Sequence, residues 1–227
     1  MMGGRRLLDY DLPLFQGVQP EDLNNVPLQV TEMNLRPWQT VFNQQDDSCD
    51  IYFLISGALL AVFWTEEGRE IVFSRFPQGA YFGELAALDG TPRSLAVVAK
   101  SEARVLAMKQ DSFIQLFNQV PVIRDRIVRQ LVGRIRSLTE RNMEMTTLSV
   151  EQRVGTYLLR LAAEDGKLSQ GAVINDAPTH SEIAGSIGAN REMVSRSISK
   201  LAKRGAIRSA RQRIEILDPG ILSELVS

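Results

Sequence analysis

The chain has 227 residues, 44% of them hydrophobic and 23% charged, with a formal net charge of −1. That is enough for one large domain or two small ones around a real core, and the composition is neither disordered nor collagen-like. One cysteine, Cys49, excludes an internal disulfide and a cysteine cluster for zinc or iron–sulfur, and one histidine, His180, leaves little material for a catalytic triad or a histidine metal site.

The N-terminal Met-Met-Gly-Gly-Arg-Arg leads into Leu7-Leu8-Asp9-Tyr10-Asp11 rather than an apolar run, so no secretion signal is expected. The longest apolar stretch, Ile51 to Trp64, is broken by Ser56 and Gly57 and falls short of the ~20 residues of a spanning helix. A cytoplasmic protein with no membrane partner is the expectation. From about Leu28 to Met108 short β-branched and aromatic runs alternate with turn residues, which predicts a compact antiparallel sandwich or barrel. Its candidate strands are Val41-Phe42, Ile51 to Ile55, Ala58 to Phe63, Ile71 to Phe73, Leu95 to Val98 and Ala103 to Met108.

A short helix opens at Asp111-Ser112 and stops before Pro121, which itself suits a first helical position. From Val122 to about Leu148 the only helix-weakening residue is Gly133. Leu131, Ile135, Leu138, Asn142 and Met145 recur there at 4-3-4-3 spacing, a coiled-coil seam with a polar register residue. A stripe that narrow favours a partner helix, hence a homodimer; packing on its own domain is the alternative.

Val150 to Ala163 is amphipathic, is ended by Asp165-Gly166, and is followed by a polar loop to Pro178. Thr179-His180-Ser181-Glu182 has the form of a capping box. A helix of about seven residues, a turn at Gly188 and a second helix from Asn190 to Arg204 follow, with Gly205 as its C′ residue. Ile207-Arg208-Ser209 and Arg213 to Ile216 then form a two-stranded wing, and Asp218-Pro219 caps a last helical turn. Helix, turn, helix and hairpin make a winged helix-turn-helix. The expected organisation is α+β, with a β-domain over 1–120, a long helix over 121–148 and the winged domain over 149–227.

Charge is unevenly spread. Residues 1–120 carry 9 basic and 15 acidic side chains, 121–149 carry 6 and 3, and 150–227 carry 11 and 9. Between Gly188 and Arg213, Arg191, Arg196, Lys200, Lys203, Arg204, Arg208, Arg211 and Arg213 face Glu192 alone. Such a segment fits a polyanion partner, although a solvated helix face would look the same. Arg191, Glu192, Ser195 and Arg196 lie along one side of the second helix near its start, while Met193, Val194, Ile198 and Leu201 are expected to pack on the domain core. A helix in the major groove presents its N-terminal side chains to base edges, where Arg reads guanine and Glu accepts from cytosine. A Glu192–Arg196 ion pair, four residues apart, is the structural alternative and is worth only ~0.3–0.5 kcal/mol.

The second motif is Tyr81-Phe82-Gly83-Glu84-Leu85-Ala86-Ala87-Leu88-Asp89-Gly90-Thr91-Pro92-Arg93-Ser94-Leu95-Ala96. A helical turn from Gly83 offers backbone N–H groups to an anion, Arg93 and Ser94 add a charged fork and a hydroxyl, and Glu84 can accept from a sugar hydroxyl. A Glu84–Arg93 ion pair is the alternative.

Phe82-Gly83-Glu84-Leu85-Ala86, followed by Pro92-Arg93-Ser94-x-Ala96, resembles the phosphate-binding cassette of cyclic-nucleotide-binding β-rolls. The order β-roll, long helix, winged helix resembles the catabolite-activator/FNR superfamily of bacterial transcription regulators, over nearly the whole chain. The resemblance implies a jelly-roll-like double-stranded β-helix. In it Glu84 meets the ribose 2′-hydroxyl, the Gly83 and Leu85 amides with Arg93 and Ser94 hold the cyclic phosphate, and Arg134, Leu138 and Thr139 lie near the base. It also implies an allosteric homodimer on palindromic double-stranded DNA, contacted by His180, Asn190, Arg191, Glu192, Ser195, Arg196, Lys200, Arg208 and Arg211, with RNA polymerase as a further partner. Such a helix suggests a half-site related to TGTGA, with Arg191 or Arg196 on guanine.

This chain departs from the family where cyclic-AMP binders carry adjacent Thr and Ser on the long helix: Leu138 and Thr139 stand there, and Leu138 has no hydroxyl. Cyclic AMP is the first expectation, with cyclic GMP, another effector or none as alternatives. A roll that serves as a regulatory subunit without binding DNA is a further one. Trp38 and Gln45 occupy turns where the roll usually has Gly. The oxygen-sensing branch needs a cysteine cluster that one Cys cannot make, and the haem-sensing branch needs roll ligands, whereas His180 lies in the helix-turn-helix. Cys49 as a haem or thiol sensor is the alternative to an incidental loop cysteine, and no metal, haem or iron–sulfur cofactor is expected.

Overall fold

The structure is a computed structural model that describes residues 7–68, 70–164 and 169–225. The chain divides into two compact units, 1–134 and 135–227, and the division falls inside the long helix. Among the described residues no helix is long and apolar enough to cross a membrane.

In the first unit two four-stranded antiparallel sheets form the β-roll. One has the order β1 (Val30–Leu35), β8 (Ala103–Met108), β3 (Ile51–Ser56), β6 (Tyr81–Phe82). The other has the order β2 (Thr40–Phe42), β7 (Ala96–Ala99), β4 (Leu59–Trp64), β5 (Glu70–Phe76). The apolar run Ile51 to Ile55 is buried throughout, because successive residues serve opposite faces of one sheet. Tyr52 and Leu54 join Phe42, Leu59, Phe82 and Val97 in a core fed by both sheets. Ile51, Phe53 and Ile55 join a second core with the N-terminal 3₁₀ turns and the helices that follow the roll.

Trp38 and Gln45 do take the left-handed conformation, at φ 68° and 66°. That costs a non-glycine residue roughly 1–2 kcal/mol. Backbone bonds hold both: Trp38 N–H donates to the Ala99 carbonyl (2.6 Å) and Gln45 N–H to the Arg93 carbonyl (2.8 Å). Gly57 has no such latitude. At φ 89°, a Cβ there would lie 2.2 Å from the Glu102 carbonyl oxygen and 2.6 Å from Ala103 Cα.

After α1 (Glu84–Asp89), helix α2 runs over Gln110–Gln119 and α3 over Pro121–Thr147. Ser112 does not open α2: it is buried, accepts from the Gln29 amide (2.9 Å) and donates to the Pro27 carbonyl (2.8 Å). Ile123 and Ile127 are fully buried, at roughly 1.5–3 kcal/mol each, and Leu131 packs partly on the same core. Because these positions face inward, the exposed apolar stripe is rotated from the expected seam. Val128 and Val132 join Ile135 and Leu138 on it, and the last two are 63% and 54% exposed. Asn142 is exposed, and Met145, though largely exposed, lies against Gly188 within the second unit.

The second unit contains α4 (Val150–Glu164), β9 (Ala172–Asn175), α5 (His180–Ile187), α6 (Arg191–Lys203), β10 (Ile207–Ala210), β11 (Arg213–Ile216) and α7 (Pro219–Glu224). The polar loop expected before Pro178 contains a strand: β9 pairs antiparallel with β11, so the wing is a three-stranded sheet of order β10-β11-β9. Four residues are too short for periodicity to distinguish from loop, and only the tertiary pairing defines them. The expected stop at Asp165-Gly166 lies outside the described residues. Val154, Leu158, Ile183, Val194, Leu201 and Ile216 form the fully buried centre of this unit. The capping box is present, with Thr179 Oγ1 accepting from Glu182 N–H (3.2 Å) and Glu182 accepting from Thr179 N–H (2.6 Å).

Candidate functional site

In the first unit a cavity of about 280 Å³ is lined by Gly83, Glu84, Leu85, Arg93, Ser94 and Arg134, with Phe42, Phe76, Phe82 and Val97 on its apolar wall. Six of the predicted ligand residues therefore share one hollow. Gly83 stands before α1 at φ 88°, where a Cβ would come within 2.7 Å of Arg93 Nη1 and 3.0 Å of the Asp50 carbonyl. Only glycine lets the backbone approach this closely.

Arg93 is 2% exposed and its guanidinium lies 4.2 Å over the Phe42 ring. Nη1 donates to the Gly83 carbonyl (2.9 Å), Nη2 to the Asp50 carbonyl (2.5 Å) and Nε to Ser48 Oγ (3.3 Å). Three of five N–H donors are engaged in this way. Burial pulls the Arg93 pKa down, opposed by the neighbouring Tyr52, Cys49, Asp46 and Asp50. The Arg93–Glu84 pair weighed from the sequence is absent; Glu84, also 2% exposed, is held by Arg134 of α3 instead. Burial and the Glu84 charge together push the Tyr81 phenol far above its usual range. Ser94 is exposed beside Arg93.

Sequence reasoning missed the aromatic support. Phe42 and Tyr52 flank Arg93, Phe42, Tyr52 and Phe82 contact one another, and Phe76 packs on Phe82. Phe42 and Tyr52 lie in apolar strand runs that mark them as core candidates, but nothing in the linear pattern pairs them with Arg93. The remaining predicted ligand residues, Leu138 and Thr139, belong to the second unit. Both are exposed, and the Thr139 hydroxyl donates back to the Ile135 carbonyl (3.0 Å).

In the second unit Arg191, Glu192 and Arg196 are exposed along α6, and no Glu192–Arg196 ion pair forms among the described residues. Met193 is not a core residue as expected: it is 36% exposed, about 100° around the helix from Val194, and Ser197 takes the buried place beside Ile198. Asn190 is the N-cap, its Oδ1 accepting from the Met193 amide (2.8 Å). His180 Nδ1 lies 2.7 Å from Ser195 Oγ. Lys200 sits on Glu151 of α4 (3.1 Å), with Arg204 at 3.7 Å from the same carboxylate. Arg208 pairs across the wing with Glu215 (3.0 Å), whereas Arg211 is exposed at the tip. The exposed cations of this segment thus separate into those that sit on a carboxylate, Lys200, Arg204 and Arg208, and those with no ion pair among the described residues, Arg191, Arg196 and Arg211, a distinction invisible in a charge count.

The chain matches the family description of a cyclic nucleotide-binding domain over residues 32–120 and of a Crp-like helix-turn-helix domain over residues 152–225. The CRP-like cAMP-activated global transcriptional regulator of Mycobacterium tuberculosis is 29% identical over 206 residues, 90% of this chain and 92% of that protein. The cyclic AMP receptor protein of Thermus thermophilus is 29% identical over 217 residues, 94% of this chain and 96% of its own. Among solved structures, FixK2 from Bradyrhizobium japonicum is 20% identical and covers 88% of this chain and 98% of its own at a TM-score of 0.74, a likeness of fold.

Proposed function

The chain belongs to the catabolite-activator/FNR superfamily of transcription regulators, and from that premise we propose that it is a homodimer that binds palindromic DNA under control of a cyclic nucleotide in its β-roll, cyclic AMP before cyclic GMP. The observation that carries this is the one cavity in which Gly83, Glu84, Leu85, Arg93, Ser94 and Arg134 meet. A cyclic nucleotide presents an anionic phosphate, a sugar hydroxyl and a flat base. Arg93 with Ser94 suits the first, the Glu84 carboxylate the second and the apolar wall the third. Two relatives named for cyclic AMP, each 29% identical, support the choice of nucleotide.

A ligand controls DNA binding only by favouring one of two arrangements, and DNA then favours the ligand in return. Arg134 provides the link within the chain, because the α3 residue that holds Glu84 would face a competing sugar hydroxyl. The stripe Val128, Val132, Ile135 and Leu138 suits a second copy of α3. Two-fold symmetry sets the DNA half-sites ~34–36 Å apart, with Arg191, Glu192, Ser195 and Arg196 toward base edges and Arg211 toward phosphate. A cytoplasmic location and a contact with RNA polymerase belong to the same proposal.

Calorimetric titration with cyclic AMP and with cyclic GMP tests it. Saturable binding of either, abolished by Arg93→Ala and weakened by the exposed variant Ser94→Ala, is the expected result. A second reading, a DNA-binding regulator with another effector or none, is favoured by Leu138, whose side chain offers no hydrogen bond to a base. Absence of binding to both nucleotides, with DNA affinity intact, would select it.

A further inference from the structure

We propose that His180 sets the hydrogen-bonding character that Ser195 presents to DNA, so that the base preference at one position of each half-site follows the charge on this imidazole. The proposal rests on the DNA-binding reading above. Ser186, Ser199 and Ser223 each donate to the carbonyl four residues back, on Glu182, Ser195 and Pro219. That is the usual recourse of a helical serine. Ser195 departs from it: its hydroxyl turns across the helix-turn-helix to His180 Nδ1 at 2.7 Å. Both side chains are half-buried, so one edge of each faces outward. Ser195 lies between Glu192 and Arg196 on the exposed side of α6, where a major-groove reader must lie.

A hydroxyl has one proton and two lone-pair sites, and the imidazole decides which of them remain. A neutral ring with its proton on Nε2 accepts at Nδ1, so Ser195 donates to it and shows DNA lone pairs alone. Those match the amino groups of adenine and cytosine. A charged ring donates from Nδ1, and the Ser195 proton is released toward DNA. It then matches the acceptors of guanine, thymine and adenine N7, while one lone pair remains for an amino group. Histidine is the side chain whose charge changes between pH 5 and 8.

The charged groups around His180 do not substitute for it. On α5, Glu182 is engaged by the Thr179 amide. On α6, Arg191, Glu192 and Arg196 are exposed. On α4, Arg153 donates to the Ile187 and Gly188 carbonyls at the far end of α5, and Glu151 holds Lys200 and Arg204. Asp176, just before α5, is exposed and takes part in an interaction as well.

Protonation also adds a cation that any DNA attracts, so total affinity is no test. The test is selection of the full-length protein on a randomised palindromic duplex library at about pH 5.5 and about pH 8, with wild type, His180→Gln and Ser195→Ala in parallel. Wild type is expected to change its base preference roughly two- to tenfold at one symmetry-related position, the scale of a single neutral hydrogen bond. Cytosine, which offers only an amino donor, is favoured at the higher pH, and guanine and thymine, which offer only acceptors, gain at the lower. Both variants are expected to keep one preference at the two pH values. Ser195→Ala removes only a hydroxyl from a half-buried position, so it reports even if His180→Gln folds poorly. An unchanged wild-type preference overturns the proposal, as does a pH-dependent position that survives in Ser195→Ala. Enrichment of no sequence at either pH overturns the DNA-binding reading and this proposal with it.

Discussion

The two candidate sites are built in opposite ways. In the roll, the two charged groups suited to a ligand's phosphate and sugar are buried and already bonded: Arg93 to the Gly83 and Asp50 carbonyls, Glu84 to Arg134. On α6, Arg191, Glu192 and Arg196 stand exposed on a helix whose opposite side, Val194, Ile198 and Leu201, is buried in the core. A buried site must exchange internal bonds for those of the ligand, so binding and local structure are coupled there. An exposed face can meet DNA with little rearrangement. Sensing suits the first and docking the second.

The sharpest way to break this comparison is Arg93→Ala. It should abolish nucleotide binding and also lower stability by about 2 kcal/mol in urea unfolding, because the part-buried Gly83 and Asp50 carbonyls lose their donors at ~1 kcal/mol or more each. A loss of binding with unchanged stability would show that Arg93 is not structural. Gly57→Ala should cost roughly 3 kcal/mol or more through overpacking and a left-handed φ, leaving ligand affinity intact in the folded fraction.

On the other side, Arg196→Ala should cost about 1–3 kcal/mol on a specific operator and relax the preference there, while stability stays within about 0.5 kcal/mol. An equal loss on random DNA would make Arg196 a phosphate contact. Ile135→Glu places a charge on the exposed stripe and should shift sedimentation from dimer to monomer, with palindrome affinity falling alongside. The smallest effects separate ion-paired cations from those with no ion pair among the described residues. Arg211→Ala should reduce the salt slope of DNA binding by about 1, and Lys200→Ala, whose ammonium rests on Glu151, should leave it nearly unchanged.

Much of the fold was legible from pattern. The Ile51 to Ile55 run, Pro121 at a helix start and the Thr179–Glu182 box are local signals, and each stands where it was expected. Strand β9 was not legible, since Ala172–Asn175 is defined by its pairing with β11. Met193 was misplaced because hydrophobicity marks a residue as apolar without saying which way its helix turns.

The candidate site divides along the same line. The nearness of Gly83, Glu84, Arg93 and Ser94 in the chain, with the resemblance of their motif to a phosphate-binding cassette, marked them as one site; spacing alone left a Glu84–Arg93 ion pair open. The partners of those groups came only with the tertiary structure: Phe42 under Arg93, Arg134 on Glu84, Glu151 under Lys200, His180 against Ser195. Each joins segments 15 to 51 residues apart. Local periodicity and propensity act over a few residues, whereas a buried charge or hydroxyl bonds to whatever the folded backbone brings within about 3 Å.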